Sequence, residues 1–140
     1  MSIQPCIKPE ELDWTSPPGW NRLKHHLVPA LEAEGDLYTM EDVLQSIKDG
    51  NVTFWPGDRS AVVTQLIEHP RHTQLEYWLA GGDLKELKQM AVFIEAWARQ
   101  RGITHAKITG RRWARALGDG WKEVATVSVK RLDNVEKLEN

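Results

Sequence analysis

At 140 residues the chain is short enough to be one domain and long enough to bury a substantial core. A charged fraction of 27% and a formal net charge of −2 argue against a dedicated nucleic-acid binder and leave room only for a local basic patch. The single Cys6 rules out an internal disulfide and a multi-cysteine zinc site, and it suits a reducing compartment. The N-terminal residues lack the apolar core of a signal peptide, and no run approaches the ~18 apolar residues of a membrane span. The expected class is a soluble, intracellular α/β protein. Its seven tryptophans are read first as core and groove lining.

In chain order, residues 1–19 contain Pro5, Pro9, Pro17 and Pro18 and read as an extended arm with a short strand near residues 3–7. Trp20, Leu23, Leu27, Ala30 and Leu31 then recur at helical spacing, with Pro29 placed to kink or split the helix. Thr39 and Asp42 form a capping-box signal, and Val43, Leu44 and Ile47 supply the face of a short helix over 40–49. Three strand-like runs follow at 51–55, 61–68 and 73–80, separated by Pro56-Gly57-Asp58 and His69-Pro70-Arg71. Such short turns predict an antiparallel meander. In the third run Thr73, Leu75, Tyr77 and Leu79 alternate with Gln74, Glu76, Trp78 and Ala80, predicting two distinct faces.

The strongest pattern covers residues 83–110. Asp83 is a good N-cap, and Glu86 three positions on predicts a capping box. Leu87, Met90, Ala91, Ile94, Trp97 and Ala98 make one apolar stripe, and Gly102 follows where a left-handed C-cap is expected. Residues 103–109 then read as a strand, 111–117 as a short helix and 121–132 as a last strand. The polar tail 133–140 is expected to fray. The domain proper is thus expected over 20–132.

This order, with the pieces YTMEDVLQSIKDGNVTFWPG, GGDLKELKQM and FIEAWARQRGITHAKITGRRWARALGDGW, resembles the GNAT (acyl-CoA N-acyltransferase) superfamily. It is most similar to the small GNAT-like proteins of tailed bacteriophages and prophages. The resemblance implies an α/β fold with a mixed, mostly antiparallel sheet of about six strands flanked by helices. It also implies acetyl-CoA, its pyrophosphate held by backbone N–H groups in the loop before the long helix, here Gly81, Gly82, Asp83 and Leu84. Two features depart from the family pattern. The loop is shortened and lacks the family's Gln/Arg, with the acidic Asp83 at the N-cap. The position of the general-acid tyrosine on the short helix is Ala116.

Amine attack would need a carboxylate or histidine on the middle strands, for which Glu68, His72 and Glu76 are the candidates. Each has the alternative of being a solvated surface group. Lys107, Arg111, Arg112 and Arg115 form a candidate basic patch for nucleic acid or an acidic protein, or simply a solvated face. The histidines show no metal-ligand spacing, adjacent His25 and His26 being expected to point apart. Cys6 has no neighbouring base to activate it. The expectation is a phage or prophage protein with a degenerate acetyl-CoA loop, acting as a non-catalytic binding protein on the virion or in the host cytoplasm. A phage structural protein or a host protein is its expected partner. The alternatives are an acetyl-CoA-dependent N-acetyltransferase and, more weakly, a nucleic-acid-associated module.

Overall fold

Pro29 divides what apolar spacing alone would make one helix. In the computed structural model, which describes residues 16–35 and 37–109, α1 (Trp20–Leu23) passes through a 3-10 turn (Lys24–Leu27) into α2 (Val28–Ala33). The proline sits in the first turn of α2, where its missing N–H costs no helical hydrogen bond. The next helix, α3 (Met40–Lys48), begins at the expected capping box. Asp42 N donates to Thr39 Oγ1 at 3.2 Å, and Thr39 N donates to the Asp42 carboxylate at 2.9 Å.

The strands are β1 (Thr53–Pro56), β2 (Ser60–Glu68), β3 (Thr73–Gly82) and β4 (His105–Ile108), paired in that order. The first three form the expected antiparallel meander, and β4 runs parallel to β3. The crossover between β3 and β4 is α4 (Leu84–Gln100), capped at its far end by Gly102 with φ 78°. The sheet has four strands among the described residues rather than the expected six. The remaining expected elements, near 3–7, 111–117 and 121–132, lie outside those residues. The chain divides between Ile108 and Thr109, and α1–α4 and β1–β4 belong to the first unit.

Helices cover both faces of the sheet. On one face Trp20, Leu23, Leu27 and Leu31 join Val43 of α3 over Ala61, Val63 and Leu79. On the other, α4 buries Leu87, Met90, Ile94 and Ala98. Each fully buried Leu or Ile stabilises by roughly 2 kcal/mol relative to exposure. Trp55 joins the second layer edge-on to Phe93 and Trp97, and its Nε1 donates to the buried Thr64 hydroxyl at 2.9 Å. That bond satisfies two polar groups the layer would otherwise strand.

Simple alternation fails at one point in β3. Val63 pairs with Leu79 and Thr64 with Tyr77, so Trp78 is an extra residue in a β-bulge. Leu75 and Tyr77 are buried, and Tyr77 reaches Glu95 of α4. Trp78 and Leu79, consecutive in sequence, both pack with the α1–α2 layer. Tyr77 and Leu79 therefore do not share the face that a period-two reading gives them.

Candidate functional site

The anion cradle expected at Gly81–Leu84 is built differently. Gly81 and Gly82 are the last rungs of β3, paired with Ala61 and Ser60. A Cβ on Gly81 would lie 1.8 Å from the His26 carbonyl oxygen, so this glycine exists to let the 3-10 turn touch the sheet. Gly82, at φ 125°, is pressed against Arg59 O and Ser60 in the same way.

Two backbone donors at the start of α4, Asp83 N and Lys85 N, are met by the chain's own groups. Asp83 N donates to Ser60 Oγ at 2.9 Å, and the Asp83 carboxylate accepts from Lys85 N at 3.1 Å. Arg59 pairs with that carboxylate at 3.3 Å. Glu86 does not complete the expected capping box. It reaches across to the β1–β2 turn, accepting from Asp58 N at 2.9 Å and Arg59 N at 2.8 Å. Arg22 grips the same turn from the other side through the Asp58 and Gly57 carbonyls, at 2.5 and 3.3 Å. Burial alone would raise the pKa of Glu86. The Ser60 hydroxyl, the two backbone donors and the Arg59 charge outweigh that and hold it below the usual carboxylate range. A coenzyme pyrophosphate needs uncommitted N–H donors and a positive field at a helix start. This corner sets two carboxylates against the single charge of Arg59, with both glycines held in the sheet, and its residues do not fit the group.

Of the three catalytic candidates, Glu68 and His72 share one groove and Glu76 stands apart from it. Glu76 accepts from Gln65 Nε2 and pairs with Lys107 at 3.4 Å across the β3–β4 register. Two residues expected to serve different tasks, one catalytic and one in the basic patch, thus neutralise each other. Arg111, Arg112 and Arg115 lie outside the described residues. Glu68 and His72 line an open groove of about 750 Å³ with Leu66, Arg71, Arg101 and Ile103. Glu76 is three residues along from Thr73, ~10 Å away at the rise of a strand.

His72 stacks on His105 with ring centroids 3.8 Å apart and planes 9° apart, and His69 lies 6.0 Å from His72. His25 and His26, expected to diverge, lie 4.0 Å apart with rings tilted by 38°. Among the described residues no group of three His, Cys, Asp or Glu is placed to hold a metal. Nor is any described helix long and apolar enough to cross a membrane.

Two polar arrangements escape sequence reasoning. The Tyr77 hydroxyl donates to Glu95 at 2.6 Å. Burial, then the adjacent carboxylate, pushes its pKa far above the phenol range, so it keeps its proton at neutral pH. At the bulge, Trp78 Nε1 donates to Glu34 at 3.2 Å, and the Tyr38 ring meets the Trp78 ring edge-on at 5.2 Å. Trp78 and Glu34 are 44 positions apart, and no local pattern links them.

No protein-family model matches the chain, and no curated protein matches it in sequence. Two solved structures are similar: wild-type TTHA1254 from Thermus thermophilus and an isoleucine-to-methionine variant of it. The wild type matches with a TM-score of 0.54 at 11% identity, over 83% of this chain and 92% of that one. The variant gives 0.52 at 11%, over 81% and 90%. At this identity the likeness is one of fold: an α/β chain with helices on a mixed sheet.

Proposed function

We propose that this chain is a GNAT-like protein of a tailed phage or prophage that has given up the coenzyme and works by binding another protein. The observation that carries the reading is the closed start of α4. Asp83 and Glu86 place two carboxylates where a dianionic pyrophosphate would rest, and their hydrogen bonds are already made within the chain. Two unit charges ~4 Å apart at an effective dielectric of about 20 oppose each other by roughly 4 kcal/mol. The neutralised pair Glu76–Lys107 points the same way, since an amine-activating carboxylate has to be free to take a proton.

The second reading is an acetyl-CoA-dependent N-acetyltransferase. One observation favours it. β4 pairs only with Gln74–Tyr77, so Trp78–Gly82 run on without a β4 partner, as in a fork that would admit a coenzyme.

Thermal unfolding with acetyl-CoA separates the two. A ligand at a hundredfold excess over its Kd stabilises by about 2.7 kcal/mol, a readable shift. The expected outcome is no shift at millimolar acetyl-CoA for the wild type. A saturable shift that steepens in Asp83→Asn overturns the binding-protein reading in favour of the enzyme.

A further inference from the structure

The bulge at Trp78 does more than break the alternation of β3. It turns an indole toward the loop after α2 and fixes it there, through the hydrogen bond to Glu34 and packing against the α1–α2 core. Tyr38, 47% exposed, stands against that indole at an interplanar angle of 79°. Leu37 beside it is 69% exposed. Two aromatic rings at a near-right angle, with a carboxylate on the indole N–H, bring negative ring faces and a negative charge into one neighbourhood. Such a corner attracts a cation carried on an apolar stem.

The charge of the adjoining stretch of chain agrees. The stretch 32–42 carries Glu32, Glu34, Asp36, Glu41 and Asp42 and no Lys or Arg. Asp42 is committed to the cap of α3. Glu32, Glu34 and Glu41 form no ion pair among the described residues. A local field of one sign with exposed aromatic area inside it selects a basic partner and repels nucleic acid. It also differs from the groove at His72, where Arg71 and Arg101 stand with Glu68.

From this geometry we propose that Trp78, Tyr38 and Glu34 bind a lysine or arginine side chain on an extended basic segment of a partner protein. The proposal rests on the binding-protein reading and gives that partner its chemistry. The ring of Trp78 is held before binding, so little ordering cost falls on the indole. Tyr38 closes the corner from the loop.

The test is fluorescence anisotropy with a short labelled lysine-bearing peptide, its arginine counterpart, and a peptide with norleucine in place of each lysine. Saturable binding of the lysine or arginine peptide is expected, with none for norleucine. Glu34→Gln keeps an acceptor for the indole and removes the charge, and it is expected to weaken binding by about tenfold. Tyr38→Leu keeps apolar area without the ring's negative face and is expected to weaken it similarly, while Glu41→Gln changes it less. Equal binding of the norleucine peptide, or indifference to Tyr38→Leu, overturns the proposal in favour of a plain apolar patch. Failure of both basic peptides to bind overturns it outright. The peptide comparison decides the matter even where a variant folds poorly. Acetyl-CoA thermal shifts on the same samples report separately on the underlying reading.

Discussion

Two regions of β3 each behave otherwise in the structure than their sequence suggests. The C-terminal end, Gly81-Gly82-Asp83, resembles a phosphate cradle but is sealed by Ser60, Arg59 and the neighbouring Glu86. The middle, at Trp78, resembles plain core but holds an exposed aromatic partner beside a carboxylate. The difference teaches that donor and acceptor accounting says more about a site than motif likeness does. A helix start that carries two carboxylates of its own, one capping Lys85 N and one held by the facing turn, is a poor seat for an anion.

That contrast can be broken first at Gly81. Gly81→Ala drives a methyl into the His26 carbonyl, backbone against backbone. Such overpacking is expected to cost about 3 kcal/mol, read as a lower urea midpoint. An unchanged midpoint means the turn can retreat, and the end is less sealed than described. The next largest effect is expected from Tyr77→Phe, which removes a buried hydroxyl bonded to a carboxylate and is expected to lose about 1.5 kcal/mol in the same assay.

Glu86→Ala frees the Asp58 and Arg59 amides, and about 1 kcal/mol of loss is expected. Its charge also sets a pH dependence. The folded-state pKa of Glu86 lies below its unfolded value, so its contribution is complete above the ordinary carboxylate range and fades as pH falls through the folded value. Glu86→Gln is therefore expected to flatten the acid limb of stability below the ordinary carboxylate range and to leave the neutral limb's slope unchanged. The smallest effect is expected at Lys107→Ala. The Glu76–Lys107 pair is partly exposed on the lysine side, where removal costs about 0.5 kcal/mol or less. A larger loss there would make the other end of β3 the sealed one.

Much of the frame is legible in the residues. The Thr39–Asp42 box, the division at Pro29, the meander and the 84–100 helix follow from local chemistry, and each sits within a residue or two of its expected bounds. What is not legible depends on distance in sequence. Local pattern assigns Glu86 to its own helix, yet its partners are 27 and 28 positions away. Gly81 looks like backbone ready for an anion, because nothing nearby announces the His26 carbonyl that needs its missing side chain. Glu76 and Lys107 suggest different tasks, and only the parallel register shows that each answers the other. Trp78 hides in an alternating pattern because a bulge leaves no mark in a hydrophobicity string.

That one inserted residue makes β3 a seam fastened on opposite sides along its length. Its first half is tied to the long crossover helix through Tyr77, and its second half to the α1–α2 layer through Leu79. Peeling the crossover helix away would uncover the Tyr77 side chain and leave Leu79 covered by the α1–α2 layer. A strand that looks like one rod is thus two half-strands with separate roofs.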